Sequence, residues 1–361
     1  MSDSQNESQR MPRRPGILRG TSSSGADSPV RQNQKDKDAM NDSNVSKLVS
    51  WTTEENPAHG PSSFIIHHRL HETGLFSEDA LVRMLDSYPR AKLQVFTMGA
   101  DPEDRSEWQP VDTTGASGRE ILEAVRVGRL WVKLMRVDQN VAAVGEVMTR
   151  TYDELQRLPG FPQMLWLRPL LLISSPGALV YYHADPQPTM LWQLSGSKRV
   201  WIYPANDREL LAPSLLEQIY AGEVDEEAPY SRDFDQRAAV YDLVPGELLC
   251  WPLNAPHRVV NHDSVNVSLS VPYGTHGSEK RAQLYFANLM LRRKLGVGSP
   301  STSEAGGVAI AKRFMFRGMR RLNLVPRVGV TRKPYMASLR IDAASAGGLA
   351  RIPSGPVRTP F

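Results

Sequence analysis

The sequence has almost no cysteine and no long apolar run. Cys250 is the single cysteine among 361 residues, which excludes a disulfide framework and any metal site built from several thiolates. No apolar stretch approaches the roughly 20 residues that span a bilayer. No apolar segment follows Arg13 and Arg14 to form an export signal. We therefore expect a protein of a reducing compartment, with a cytoplasmic location.

Aromatic residues are absent from residues 1–47. That segment is rich in Ser, Asn, Gln, Asp and Arg, so it cannot bury enough apolar area to offset the entropy of ordering. We predict a disordered tail at 1–47, followed by a folded body.

Acidic residues are scarce in the C-terminal part. Residues 279–361 hold 16 Lys and Arg against 3 Asp and Glu, whereas residues 48–278 hold 19 basic and 30 acidic side chains. This asymmetry bears on partners rather than on fold. We expect the basic extension to dock on the acidic body, within one chain or across a homodimer. Nucleic acid or an anionic membrane is a less favoured partner.

Between residues 48 and 164 the pattern predicts helices and one strand. Ser77 precedes an amphipathic helix, Ser117 opens a second helix that Gly128 ends, and a third runs from Val141 to about Leu158. The apolar alternation over 130–134 predicts a strand. We assign 48–164 to a mixed flank of the folded body.

From 165 to 276 the apolar period changes to two, with turn residues such as Pro245-Gly246 between the runs. Many short strands joined by turns favour a sandwich or closed barrel over a parallel α/β sheet. We predict an all-β core with flanking helices, an α+β arrangement. Around an acidic insert at 210–237, the predicted strands are Leu170–Ser174, Ala178–Ala184, Met190–Leu194, Lys198–Tyr203, Ala239–Leu243, Glu247–Trp251, His257–Asn261 and Val265–Val271.

Two helices are predicted in a basic extension at 277–326. The second runs from about Val308 to Leu322 and has an apolar face formed by Ile310, Phe314, Met315 and Leu322. Burying each of these side chains would contribute roughly 1.5–3 kcal/mol, so we expect the face to pack on the body or on a second subunit. Residues 327–361, rich in Gly, Pro, Ser and Ala, are predicted to be loose.

Three side chains have the composition of a metal site. His183 and Asp185 stand two residues apart at the end of a predicted strand, so both point to one face. A second imidazole, His257, begins a later strand. Two histidines and one carboxylate on one side of a metal leave open positions, which suits non-haem Fe(II). Because an isolated His-x-Asp pair is common by chance, the flanking sequence decides its meaning.

That flanking sequence resembles the JmjC and cupin-like 2-oxoglutarate oxygenases, closest to their asparaginyl-hydroxylase branch. Residues 246–257 read Gly-Glu-Leu-Leu-Cys-Trp-Pro-Leu-Asn-Ala-Pro-His. They match each fixed element of the segment that supplies this family's last metal ligand. Residues 196–199, Gly-Ser-Lys-Arg, match the start of the family's strand after the His-x-Asp pair. The resemblance covers about residues 165–275.

The resemblance implies a double-stranded β-helix, or jelly roll, that uses Fe(II), 2-oxoglutarate and O₂. His183, Asp185 and His257 would bind the iron, and Lys198 would pair with the distal carboxylate of 2-oxoglutarate. Arg199 is the alternative anchor if Lys198 points outward. Further contacts to the cosubstrate are expected from Thr189, Ser268 and Ser270, while Val180 stands where the family often has threonine.

Other histidines are not expected to bind the metal. His262 has turn residues around it, and an exposed polar segment is expected to contain His67, His68 and His71. Cys250 lies beside Trp251 on an apolar strand and is expected to be buried and inert.

We therefore predict an Fe(II)- and 2-oxoglutarate-dependent oxygenase that hydroxylates a protein or peptide side chain or a small molecule, with formation of succinate. The main alternative is a metal-binding cupin without catalysis that acts as a regulator or scaffold through its basic extension. Lys198 discriminates between the two because a scaffold needs no cosubstrate anchor. A cupin isomerase or a dioxygenase without 2-oxoglutarate would need extra His or Glu ligands, for which the sequence offers no candidate.

Overall fold

The computed structural model describes residues 47–50, 62–323 and 335–361. The predicted tail at 1–47 lies outside these residues except for Lys47. The strands are β1 (Val49–Ser50), β2 (Phe64–His68), β3 (Leu93–Thr97), β4 (Val111–Asp112), β5 (Leu130–Met135), β6 (Trp166–Leu167), β7 (Leu170–Ser174), β8 (Leu179–His183), β9 (Thr189–Ser195), β10 (Lys198–Ile202), β11 (Ala239–Leu243), β12 (Glu247–Cys250), β13 (His257–Asn261), β14 (Asn266–Gly274), β15 (Met336–Ala337), β16 (Leu339–Ile341), β17 (Leu349–Arg351) and β18 (Val357–Arg358).

The α-helices flank these strands in sequence. They are α1 (Glu78–Ser87), α2 (Gly118–Val127), α3 (Val137–Asn140), α4 (Ala142–Gln156), α5 (Pro213–Ala221), α6 (His276–Leu295) and α7 (Gly306–Arg321), and short 3-10 helices cover Leu70–Thr73, Arg90–Lys92, Arg232–Arg237 and Ala346–Gly348. None of the helices in the described ranges combines the length and the apolar character that a bilayer crossing requires.

Two antiparallel sheets pack against each other in the body, so the fold is a mixed α+β fold. The larger sheet has the order β1-β2-β12-β9-β14-β7-β5-β3, with β6 paired to β14, and the smaller has the order β11-β10-β13-β8. One apolar cluster joins them and includes Leu191 and Leu249 of the larger sheet with Val200 and Val259 of the smaller. From β7 to β14 the chain alternates between the two sheets, except that β10 and β11 are neighbours in the smaller one.

Helices cover the outer face of the larger sheet, which explains why its central strands are apolar on both faces. In β9, Met190 and Trp192 pack in a core that contains Leu85 of α1 and Ile121 of α2. Leu191, between them, points to the smaller sheet. A strand covered on both sides loses the polar alternation of a strand that faces water.

The predicted helices of the N-terminal flank are present. In α2, the Ser117 hydroxyl accepts the N–H of Glu120 and the Glu120 carboxylate accepts the N–H of Ser117, a capping box. Gly128 ends this helix, as predicted. Ser77 has the extended backbone of an N-cap, but its side chain makes no capping hydrogen bond.

The C-terminal segment differs from the prediction. Residues 335–361 were expected to be loose, yet they form β15 to β18, and β16 pairs in parallel with β4. Tyr335 and Phe361 contact the ring of Phe96, with centroids 5.4 and 5.8 Å away. Two aromatic residues near the ends of this segment therefore anchor it to the body. The high Gly, Pro and Ser content of the segment had favoured the prediction of a loose chain. Residues 327–334 of the predicted loose segment lie outside the described residues.

Helix α7 packs on α6 through a face other than the predicted one. Ala309 is buried in an apolar cluster with Leu284 and Tyr285 of α6, and the buried Lys312 donates from its ammonium to the carbonyl of Ser301 (2.6 Å). Ile310 and Phe314 are instead 51% and 65% exposed. The expectation that this apolar face packs on the body of the same chain is therefore wrong. Of the other two predicted members of that face, Leu322 is exposed and Met315 is half-buried.

Candidate metal centre

The three predicted ligands meet where β8 and β13 lie side by side. His183 is the last residue of β8, Asp185 follows two positions later, and His257 is the first residue of β13. His183 and His257 are register partners in this antiparallel pair. The pairing therefore places two imidazoles next to each other at one end of the smaller sheet.

The donor atoms of His183, Asp185 and His257 lie within 4.8 Å of one another. Nε2 of His183 is 4.0 Å from one carboxylate oxygen of Asp185, and Nε2 of His257 is 3.8 Å from the other. One ion fits between such donors, because bonds from a metal to nitrogen or oxygen are about 2 Å long. No second cluster of this kind occurs among the residues that the structure describes.

Both imidazoles are oriented by backbone carbonyls. Nδ1 of His183 donates to the carbonyl of Tyr181 (2.7 Å), and Nδ1 of His257 donates to the carbonyl of Ala255 (3.1 Å). A carbonyl only accepts, so the proton of each neutral ring must be on Nδ1. Nε2 of each ring is then the unprotonated nitrogen, directed to the Asp185 carboxylate. Metal-binding histidines are commonly held in this way, because the hydrogen bond from the other ring nitrogen fixes both the tautomer and the ring orientation.

Burial sets the protonation states of the centre. It lowers the pKa of His183 to about 3, helped by the neighbouring His257, and lowers the pKa of His257 to about 4. Burial also raises the pKa of Asp185, an effect that His183 and a hydrogen bond from Thr189 oppose. A divalent cation would compensate the buried carboxylate, and neutral imidazoles are the form that binds it.

The three ligands line a cavity between the sheets that also contains Lys198. Lys198, the first residue of β10, is 4% exposed. Burial alone lowers the pKa of Lys198 to about 7, since no carboxylate in the described part of the chain pairs with its ammonium. Arg199 faces outward and donates two hydrogen bonds to Asp242, of 2.8 and 2.7 Å. The alternative anchor is thus outside the cavity.

Thr189 and Ser270 line the same cavity, as does Val180. Ser268 does not, contrary to the expectation for it. Its hydroxyl donates to Oε1 of Gln193 (2.8 Å), whose Nε2 donates to Oδ1 of Asn266 (2.7 Å). Ser268 is therefore part of a buried polar network in which these groups satisfy one another, and it has no hydroxyl hydrogen left for a ligand.

His262 and Cys250 lie where the sequence indicated. Nδ1 of His262 is 3.1 Å from the Ser197 hydroxyl, and its Nε2 is 3.3 Å from Asp242, away from the cavity. Cys250 is buried, which raises the pKa of its thiol and keeps it protonated.

His68 contradicts the expectation of an exposed histidine segment. It is the last residue of β2, it is buried, and its ring lies 5.1 Å from that of Trp192. Nδ1 accepts the N–H of Leu70, so Nε2 carries the proton and donates to the carbonyl of Glu247. Both ring nitrogens are therefore hydrogen-bonded within the protein, so His68 has a structural role at the end of β2. The burial of His68 could not be predicted from the sequence, because a five-residue strand that ends in two histidines has no clear alternation of apolar and polar residues.

The cavity continues into a second pocket that the sequence did not indicate. Trp131, Lys133 and His183 are among the residues that line both. Trp131 and Lys133 belong to the half-buried face of β5, which alternates with a fully buried face. The sequence does contain one indication that this face of β5 lines a pocket. Lys133 lies between Trp131 and Met135 on the same face, and such apolar neighbours are unusual for a lysine that faces solvent. The second pocket is also lined by aromatic and acidic side chains, namely Phe96, Trp108, Tyr181, Tyr335, Asp225, Glu226 and Glu227.

No protein-family model matches the chain, and no curated protein matches it. Among solved structures it is similar to YcfD of Escherichia coli, with 15% identity and a TM-score of 0.45 over 77% of this chain and 69% of that one. It is also similar to YcfD described as a ribosomal oxygenase of Escherichia coli in complex with cobalt and 2-oxoglutarate (15% identity, TM-score 0.40), over 73% of this chain.

A third structure, of the ribosomal oxygenase YcfD from Escherichia coli, is 16% identical at a TM-score of 0.39. This chain spans 63% of the length of these last two, less than two thirds. All three are structures of the same protein, YcfD, and the second contains cobalt and 2-oxoglutarate. Similarity this low carries no residue role across, so the function proposed below depends on the residues of this chain.

Proposed function

We propose that this protein is an Fe(II)- and 2-oxoglutarate-dependent oxygenase that hydroxylates a protein or peptide side chain or a small molecule. The observation that carries the proposal is one shared cavity, lined by His183, Asp185, His257 and the buried Lys198. A metal site alone would need no buried ammonium beside it.

The donor set fits Fe(II). Two imidazole nitrogens and one carboxylate oxygen on one side of an ion leave several positions open, the arrangement of non-haem iron oxygenases. The single thiol of the chain, Cys250, packs in the apolar core and does not compete for the metal. His183, Asp185 and His257 would hold the ion.

Lys198 fits one end of 2-oxoglutarate. A buried ammonium is costly unless it is paired, and a dicarboxylate would supply the missing partner. In the ladder between β10 and β13, Lys198 lies opposite Asn261, which is four residues along β13 from His257. At roughly 3.3 Å per residue, this interval is about 13 Å. An extended lysine side chain and a five-carbon diacid together have this length. Thr189 and Ser270 would offer hydroxyl groups to the same molecule.

Bound iron with 2-oxoglutarate and O₂ would supply the oxidative chemistry, with succinate as the coproduct. The residues of the chain have simpler tasks. The triad keeps its three donors on one side of the centre, and Lys198 holds the cosubstrate's distal carboxylate. Leu191, Trp251 and Val259 form apolar walls of the cavity that exclude bulk water.

We propose a double-stranded β-helix as the core of the fold. Strands β7, β14, β9 and β12 are consecutive neighbours in the larger sheet, and β8, β13, β10 and β11 are consecutive neighbours in the smaller one. Eight strands that alternate in this way between two antiparallel sheets have the arrangement of a jelly roll. The proposed domain limits stay at 48–164, 165–276 and 277–326.

The prime substrate would enter through the second pocket. Its aromatic and acidic lining gives a peptide or a small molecule both apolar and polar contacts. A homodimer through the exposed residues of α7 remains a prediction, as does the cytoplasmic location. Nucleic acid and anionic membranes remain the less favoured partners.

The test is turnover in air with Fe(II) and 2-oxoglutarate. The wild-type chain should form succinate, slowly even without the prime substrate, and Asp185→Ala should form none. A regulator or scaffold that only binds metal would take up Fe(II) without binding 2-oxoglutarate. That result would replace the proposed oxygenase with the alternative function.

A further inference from the structure

Asn254 lies in the turn between β12 and β13, three residues before His257. It is 2% exposed and has a left-handed backbone, with φ of 63°. Asparagine is one of the few residues besides glycine that adopt this conformation at low cost. The Asn254 side chain leaves its own turn, and its Nδ2 donates to the backbone carbonyl of Asp185 at 2.8 Å.

The other end of this amide is held by two helices. Oδ1 of Asn254 accepts from the hydroxyl of Tyr220 in α5 (3.0 Å) and from Nε of Arg281 in α6 (2.7 Å). Arg281 also forms an ion pair with Glu304, in the segment that leads to α7. Two donors on Oδ1 fix the orientation of the amide, so that Nδ2 must face the Asp185 carbonyl.

Asp185 needs such support because it lies beyond the end of β8, where the ladder of backbone hydrogen bonds has ended. Its neighbour Ala184 is tied by its N–H to the carbonyl of Glu226 (2.9 Å). The Asp185 carbonyl is tied by Asn254. The same turn therefore leads into one ligand, His257, through the backbone and reaches a second, Asp185, through a side chain.

We propose that Asn254 is a positioning residue of the metal centre, and that Tyr220 and Arg281 hold it in place. Asn254 fixes the backbone of Asp185 and thereby the place of the carboxylate relative to His183 and His257. The inference rests on the proposed metal site. It gives the helical extension a role in that site, because α6 contacts the centre through a single intermediate residue.

A purely structural role for Asn254 would predict a different outcome. Loss of a buried hydrogen-bonded asparagine would then lower the melting temperature and leave metal affinity unchanged. A positioning residue changes the affinity and the coordination spectrum of the metal, because the ligand set loses its fixed spacing. Outer-shell partners of this kind typically change metal affinity or activity by about 10- to 100-fold.

The experiment titrates Co(II), used as a spectroscopic probe, into the full chain without oxygen or cosubstrate. Asn254→Gly keeps the left-handed backbone and adds no charge, and it should weaken Co(II) binding about 10-fold or more and alter the visible bands. Tyr220→Phe removes one bond to the Asn254 amide and leaves the turn intact, so it should give a smaller loss in the same direction. The matched control is Asn288→Ala, which removes another buried asparagine, on α6, that donates to the Ser301 carbonyl.

The control variant should melt earlier but bind Co(II) with wild-type affinity. Wild-type affinity and spectrum in Asn254→Gly would overturn the inference, and so would equal losses in Asn254→Gly and Asn288→Ala. If Asn254→Gly does not fold, an unchanged Tyr220→Phe overturns it as well. A wild-type chain that binds no Co(II) at all would refute the metal centre itself, an outcome distinct from a failure of Asn254 alone.

Discussion

His183 and His257 are register partners on adjacent strands, and their ring centroids are 4.1 Å apart. Two imidazoles this close cannot both be positively charged without strong repulsion, and burial already holds both pKa values near 3 to 4. The pair is therefore neutral at physiological pH and ready to bind a cation together with Asp185.

The first prediction concerns the third ligand. His257→Ala should abolish tight Fe(II) or Co(II) binding, because one of three donors is lost and the two that remain leave the ion largely in solvent. His262→Ala is the matched control, since His262 lies five residues later and contacts Asp242 outside the cavity. Metal titration of both variants checks this. Loss of binding in His262→Ala with retention in His257→Ala would reverse the assignment.

The second prediction concerns Lys198. Lys198→Ala should raise the 2-oxoglutarate concentration needed for half-saturation by about 10- to 100-fold, the equivalent of a charged hydrogen bond worth roughly 1.5–3 kcal/mol. Iron affinity should stay unchanged, because Lys198 is no metal ligand. Arg199→Ala, which removes only an exposed pair with Asp242, should behave as wild type. An unchanged requirement in Lys198→Ala would remove the cosubstrate anchor from the account.

The third prediction is a pH dependence of cosubstrate binding. Burial lowers the pKa of Lys198 to about 7. The ammonium that attracts the carboxylate is therefore present below this pH and is lost as the pH rises through it. Affinity for 2-oxoglutarate should fall between about pH 7 and 9, measured by calorimetry. Lys198→Arg stays charged across this range and should bind with little pH dependence; a wild-type affinity that is flat over the same range would speak against the unpaired lysine.

The fourth prediction concerns the exposed face of α7. If a second copy covers it, the wild-type chain should be a dimer, and Phe314→Asp should be a monomer of nearly the same melting temperature, since Phe314 is 65% exposed. Val240→Asp changes another exposed apolar residue, on β11, and should leave the dimer intact. Sizing by light scattering checks this. A wild-type monomer would exclude the dimer, and salt-sensitive binding to DNA or anionic vesicles that Phe314→Asp abolishes would favour a polyanion.

The strands of the centre could be predicted because each is a short apolar run bounded by turn residues. β7, β11 and β13 have the predicted limits, and β8, β9, β10, β12 and β14 differ by one to three residues at an end. β2 was missed, since its five residues end in two histidines that look exposed in sequence. Helix α5, which begins at Pro213, was missed because it lies within the segment 210–237 that the sequence analysis treated only as an acidic insert.

Some residues of the candidate site could likewise be predicted from the sequence, and others could not. His183, Asp185, His257 and Lys198 could be named from spacing and resemblance, since strand parity controls which residues share a face. Ser268 was misplaced, although it shares the parity of Ser270, because a polar network with Gln193 uses its hydroxyl. Hydrogen bonds between distant segments leave no mark in local sequence patterns. The bond from Asn254 to the Asp185 carbonyl, across 69 residues of chain, is such a case.

The most direct test of the account is an anaerobic titration of the Fe(II)-loaded chain with 2-oxoglutarate, followed in the visible range. The wild-type protein should develop the weak charge-transfer band of a 2-oxo acid chelated to Fe(II), and admission of air should then yield succinate. Asp185→Ala should show neither, and Lys198→Ala should show the band only at much higher 2-oxoglutarate concentration. A folded wild-type chain that gives no band and no succinate would contradict the central claim that His183, Asp185, His257 and Lys198 form an oxygenase site.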